Sequence, residues 1–144
     1  MKLELKPRTD LTLRTLAALT DGKRWRAAQL AEHVGTTAAY IAHIVGPLTK
    51  AGWLHSAPGP TGGHRLIADL DTVSLLDVIE AVEGPTDDGR CVMANRPCPA
   101  PEPCAIHDTW LRARTALTDE LASTSLMLIA STHASQKDQK GVQS

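Results

Sequence analysis

Cys91, Cys98, Cys104 and His107 fall within seventeen residues, spaced C-x6-C-x5-C-x2-H and interleaved with Pro97, Pro99, Pro101 and Pro103. These are the chain's only cysteines. An odd count behind an opening MKLELKPRTD that lacks an apolar leader does not describe the disulfide framework of an exported protein, so reduced thiols in the cytoplasm are expected. A loop too proline-rich for a helix or an inner strand leaves its donors free to converge, and thiolates are what soft metals prefer. Structural zinc sites hold their ligands in close pairs, C-x2-4-C. The wider gaps here favour a larger object, an iron-sulfur cluster wrapped by the loop. Zinc, or three thiols without metal on a mobile loop, are the alternatives.

The elements that must carry this loop are helical in composition. Trp25, Trp53, Trp110 and Tyr40 are the only aromatic residues of 144 and there is no Phe, so the core has to come from Leu, Ile, Val and Ala. No run approaches the length of apolar sequence that spans a bilayer, and no membrane segment is expected. The net charge of -1 conceals a division. Residues 1–66 carry nine basic against four acidic side chains, or +5, and the remainder six against twelve, or -6. A basic front half suits an anionic partner, of which nucleic acid is the commonest.

Thr9 and Asp10 are placed to cap a helix through Leu11, Leu13, Leu16, Ala17 and Leu19 that stops at Asp21-Gly22. Arg26 to Val34 reads as a short amphipathic helix ending at Gly35. Thr36 or Thr37 then caps AAYIAHIVGPLTKA, which closes at Gly52. Two short helices around a glycine turn form a helix-turn-helix. A strand at Trp53, Leu54 and His55, the loop SAPGPTGG and a returning strand from His64 to Ala68 add a hairpin. The expected fold class is mainly α: a winged helix-turn-helix domain with a small β-hairpin wing. Ser74 caps a further helix closed by Gly84-Pro85. From Ala105 to about Ala130, Ile106, Trp110, Leu111, Ala113, Leu117, Leu121, Leu126 and Leu128 recur at helical spacing. A long terminal helix without an intrachain partner points to a homodimer, which also matches a two-fold symmetric operator. The division expected is residues 1–84 for the DNA-binding domain, 85–104 for the cysteine loop, 105–131 for the dimerisation helix and 132–144 for a disordered tail.

Taken together, Thr9-Asp10-Leu11 with Leu13-Arg14, Lys50-Ala51-Gly52-Trp53-Leu54 leading into Gly59-Pro60-Thr61-Gly62-Gly63, and Cys104-Ala105-Ile106-His107-Asp108-Thr109-Trp110 give a chain that resembles the Rrf-two family of bacterial winged-helix transcription regulators over nearly all of residues 1–130. The resemblance implies a dimer held by the C-terminal helix and a cluster ligated by Cys91, Cys98 and Cys104. For the fourth ligand it implies two candidates. His107 matches the histidine of members with a 2Fe-2S cluster, and Asp10 the N-terminal carboxylate of members with a 4Fe-4S cluster, supplied from the other subunit. The chain departs from the family in a first cysteine gap one residue longer, in Pro58 and His64 in the wing, and in Gly46-Pro47, a pair expected to kink or shorten the recognition helix.

The function expected is a cytoplasmic, homodimeric transcription regulator, a repressor, that binds a palindromic double-stranded DNA operator and senses nitric oxide, redox state or iron-sulfur status. A zinc-binding or cluster-free thiol-redox regulator of the same fold is the alternative. Thr36, Thr37, Ala39, Tyr40 and His43 are candidates to reach base edges. Arg8, Lys23, Arg24, Arg26, Lys50 and Arg65 are candidates for phosphates, and Gly62, Gly63 and His64 for a wing that approaches the backbone. No triad, phosphate loop or paired carboxylates point to an enzyme.

Overall fold

The computed structural model describes residues 3–141, with side chains through Gln136. Helices α1 (Pro7–Ala18), α2 (Ala27–Val34) and α3 (Ala38–Lys50) are followed by the antiparallel pair β1 (Leu54–Ala57) and β2 (Gly63–Leu66) and by α4 (Leu75–Glu83), α5 (His107–Ser123) and α6 (Leu126–Gly141). In the hairpin Leu54 pairs with Leu66 and Ala57 with Gly63. Trp25 adds an isolated bridge on the other edge of β2, exchanging both backbone hydrogen bonds with His64 at 2.8 and 2.7 Å. This is the winged helix expected from the sequence.

The core is aliphatic. Leu16, Leu19, Leu30, Ile41, Ile44, Leu48, Leu54, Leu70, Val78 and Leu126 are all but inaccessible. Each such side chain contributes on the order of 1.5–3 kcal/mol by leaving water. Thr9, Thr12 and Thr15 are buried with them, on the inner side of α1. The hydroxyls of the last two are satisfied locally: Thr12 donates to the Arg8 carbonyl and Thr15 to that of Leu11, both at 2.8 Å.

Helix α1 begins earlier than Thr9 and Asp10 would have it, with Pro7 at its first position and Lys6 as N-cap. Proline is at home there, because the first N–H groups of a helix lack intrahelical acceptors. The cap comes from α4: Glu83 Oε1 accepts from the Lys6 N–H at 2.8 Å and from the Thr9 hydroxyl. A carboxylate at that end also complements the helix dipole.

Pro47 lies inside α3 without shortening it. Proline has no N–H to give the carbonyl four residues back. That carbonyl belongs to His43, and Arg8 Nη2 reaches it at 2.5 Å. An α1 side chain thus replaces the missing rung of the recognition helix.

The C-terminal third differs from the single long helix expected. The chain breaks at Thr124, which is extended, and turns back. Ser125 begins the next helix, its Oγ accepting from the Leu128 N–H at 3.4 Å. Leu75 N–H donates to the Thr124 carbonyl, Leu126 N–H to that of Val73 and Met127 N–H to that of Leu70, at 2.8, 2.9 and 3.1 Å. Helix α6 therefore packs along α1 and buries Leu126 and Ala130. It continues through Gly141, where a disordered tail was expected; residues 142–144 of that tail, like residues 1–2, lie outside the described ones. Helix α5, in contrast, has no buried residue and packs on α4. No helix among the described residues is long and apolar enough to cross a membrane.

Candidate metal centre and nucleic-acid interface

Between α4 and α5 the proline-rich segment doubles back on itself. Cys91 N–H donates to the Arg96 carbonyl at 2.9 Å and Cys98 N–H to that of Gly89 at 2.8 Å, on either side of a bridge between Arg90 and Pro97. The segment is tied at its entry: the Thr86 N–H and hydroxyl both bind Glu80 Oε1, at 2.9 and 2.6 Å. These bonds hold the Glu80 carboxyl below its ordinary pKa. Asp87 accepts from the Gly89 N–H at 2.9 Å and from Arg114 of α5 at 2.7 Å, which lower its pKa in that order.

The result is a cavity of about 180 Å³ walled by Cys91, Cys98, Cys104 and His107, with Trp110 and Arg114 behind them. The donors stand in two pairs. Cys91 Sγ lies 3.7 Å from Cys104 Sγ, and Cys98 Sγ lies 3.2 Å from His107 Nδ1. All three thiols are free and half-buried. Among the described residues no three His, Cys, Asp or Glu side chains converge closely enough to hold one metal ion. The Cys91 thiol is held below its usual pKa, first by the backbone N–H of Met93 and Ala94, then by Cys104 and the charge of Arg96.

Asp10 is not among these groups. It sits on α1 in an ion pair with Arg14, one helical turn away, at 2.5 Å, and does not line the cavity. Within one chain His107 is brought to the cysteines and Asp10 is not. Arg114, Asp87 and Trp110 are the residues of this region that sequence reasoning missed. Trp110 and Arg114 stand one and two helical turns from His107, a spacing that would have marked them.

The winged helix disposes its candidate DNA contacts unevenly. Lys23, Arg24, Ala39, His43, Lys50 and Arg65 are exposed. Thr36 and Tyr40 are half-buried, and Tyr40 packs against the core with its ring 5.9 Å from that of His43. Thr37 is the N-cap of α3, its Oγ1 accepting from the Tyr40 N–H at 3.2 Å. Others also make bonds within the fold. Arg8 is bound to His43, with its Nε buried and unpartnered. Arg26 Nη2 donates to the Pro60 carbonyl at 2.6 Å, pinning the wing tip. Gly62 and Gly63 make their close approaches to this chain's own backbone: a Cβ would lie 2.1 Å from the Ala57 oxygen at Gly62, and 2.5 Å from the Trp25 oxygen at Gly63, where φ is +131°. His64 turns inward, its Nδ1 2.8 Å from Ser56 Oγ, which is 3.1 Å from Thr49 Oγ1. Burial lowers its pKa and favours the neutral ring.

A winged helix with exposed cations before α2, at the end of the recognition helix and in the hairpin is the architecture of a DNA-binding transcription regulator, here joined to a thiol-lined loop. Residues 5–132 match the family Rrf2, iron-dependent transcriptional regulator, and the chain belongs to that family. It is 33% identical over 127 residues to the regulator IscR of Vibrio vulnificus, covering 88% of this chain and 75% of that one. It is 29% identical over 132 residues to the regulator CymR of Bacillus subtilis, covering 91% of each. Among solved structures, CymR of B. subtilis, the global cysteine regulator, superposes with a TM-score of 0.69 at 26% identity over 91% of this chain and 98% of that one. T. potens IscR, with a TM-score of 0.66 at 18% identity over 88% of this chain and 85% of that one, shares the fold. The named relatives are transcriptional regulators and not enzymes.

Proposed function

We propose that this transcriptional regulator works as a cytoplasmic homodimer on a palindromic operator, as a repressor, and that its signal is the state of an iron-sulfur cluster held by Cys91, Cys98, Cys104 and His107. The observation that carries this reading is the pairing of four donors across one cavity. Two thiolates ~2.3 Å from one tetrahedral metal stand about 3.8 Å apart, close to the Cys91–Cys104 separation. A single zinc ion needs all four donors at such mutual distances, whereas two irons need two pairs. The 2Fe-2S form with His107 as fourth ligand therefore fits better than a zinc site or a 4Fe-4S form completed by Asp10, which is engaged by Arg14. When bound, the cluster supplies one-electron chemistry and reactivity toward oxidants and nitric oxide.

The chain's own residues do the rest. Asp87 and Arg114 couple the loop to α5, so loop order and α5 position change together. Leu111 and Leu117, 49% and 45% exposed on α5, suit a second copy of the helix as their cover. Moving α5 then alters the spacing of the two recognition helices. At each of these, Ala39 and His43 offer the exposed edge to bases, and Lys23, Arg24, Lys50 and Arg65 the charge for phosphates. Iron and sulfide analysis of anaerobically purified protein, with its visible spectrum, tests the reading. About two iron and two sulfide per protomer are expected, with the spectrum altered by His107→Ala and unchanged by Asp10→Ala. Colourless, iron-free protein that still binds its operator would refute it.

A further inference from the structure

We infer that Cys91 and Cys104 form a built-in disulfide pair in the protein without a cluster, and that Cys98 is excluded from it. Their sulfurs are already 3.7 Å apart, and closing to a bond of about 2.05 Å requires a movement that side-chain rotation on an irregular loop supplies. Cys98 takes its contact from His107 instead, its Sγ 3.2 Å from Nδ1. The backbone is consistent with the choice: across the doubled-back loop Cys91 faces Arg96 and Cys98 faces Gly89, so these two cysteines are out of register with each other, whereas Cys104 follows the loop and leads into α5. Both members are half-buried and open to a small oxidant.

With a hydroperoxide as oxidant the chemistry closes on itself. One thiolate attacks the peroxide, forming an S–O bond as the O–O bond breaks, and for hydrogen peroxide the departing hydroxide leaves as water once protonated. The second thiol then attacks the resulting sulfenic sulfur, the S–S bond forms, and the S–O oxygen leaves as a second water. Two thiols and one hydrogen peroxide give one disulfide and two waters, the two electrons passing from sulfur to peroxide oxygen.

The consequence, which rests on the cluster reading above, is a second level of control. Joining Cys91 to Cys104 removes one of the two donor pairs and withholds the loop from iron until a dithiol reduces it. Sensing of oxidant would thus outlast loss of the cluster.

The test uses reduced, metal-free full-length protein treated with stoichiometric hydrogen peroxide. Its free thiols should fall from three to one, and in Cys98→Ser from two to none. Alkylation should mark Cys98 alone. Cyanogen bromide cuts after Met93, between the two partners, and after Met127, so the fragment ending at Met93 and the fragment 94–127 should stay joined one to one until reduced. Wild-type protein that keeps three thiols, a link through Cys98, or a link between two chains would overturn the inference. Iron and sulfide offered to the oxidised protein should build colour about tenfold more slowly than after dithiothreitol, and equal rates would remove the control. If the reduced protein never takes up iron, the cluster reading fails, while the thiol count still decides the disulfide.

Discussion

The contact between Arg8 and the recognition helix makes a quantitative demand. Pro47 deprives the His43 carbonyl of its intrahelical donor, and Arg8 Nη2 fills the gap at 2.5 Å. A hydrogen bond from a charged donor contributes about 1.5–3 kcal/mol, and partial exposure of the site puts the expectation near the lower bound. Arg8→Ala should therefore cost about 1.5 kcal/mol, a fall of roughly 3–5 °C in melting temperature for a chain of this size. Pro47→Ala restores an N–H facing His43 and removes a residue about 3 kcal/mol less favourable than alanine in a helix interior, so it should stabilise. The two changes must not add. In the Pro47→Ala background the restored N–H supplies the bond, and loss of Arg8 should cost about 0.5 kcal/mol, a coupling of about 1 kcal/mol. Urea unfolding followed by helical circular dichroism, at one fixed protein concentration, measures all four corners of the cycle. Equal costs of Arg8→Ala in both backgrounds would refute the argument and return Arg8 to the set of phosphate contacts.

Leu126 is 1% exposed and anchors α6, so Leu126→Ala should cost about 2–5 kcal/mol and lower the urea midpoint without changing the visible spectrum of loaded protein. Leu117→Asp places a charge on the open side of α5 and should shift sedimentation to the monomer while the helical spectrum persists; an unchanged dimer would move the interface elsewhere. His64 is half-buried next to Ser56 with its pKa lowered, so the unfolded chain binds the proton more readily. Its contribution is present above the unfolded value near 6.5 and is lost as the pH falls from there through the lower folded value, so the wild-type urea midpoint should drop below about pH 6.5 more than that of His64→Gln.

What the sequence made legible was what repeats or caps itself. The apolar spacing around Ile41, Ile44 and Leu48, the Ser74 cap and the glycines of the wing each announce a local structure, and each stands where expected. The cysteine loop was legible as an irregular segment that brings its thiols to one cavity, because its composition forbids regular structure. Tertiary substitutions were not. Thr9, Thr12 and Thr15 read as polar, yet returning their hydroxyls to backbone carbonyls or to Glu83 lets them line the core of α1. Arg8, Arg26 and His64 read as DNA-facing because charge near a helix-turn-helix suggests phosphate, while the acceptors that claim them are backbone and hydroxyl oxygens distant in sequence. The break before Leu126 was signalled by Ser123, Thr124 and Ser125, a run suited to capping that the continuing apolar period concealed.

Because α5 packs on α4 and the chain turns at Thr124 into α6, α5 is moored both at its middle and at its C-terminal end. One mooring is the Asp87–Arg114 bridge; the other is the exchange of backbone bonds between residues 124–127 and the stretch from Leu70 to Leu75. Such a member cannot swing like a free arm. Any tilt of it would bear on the strip of chain linking wing to α4, and α4 is tied through Glu83 to the very first turn of the protein.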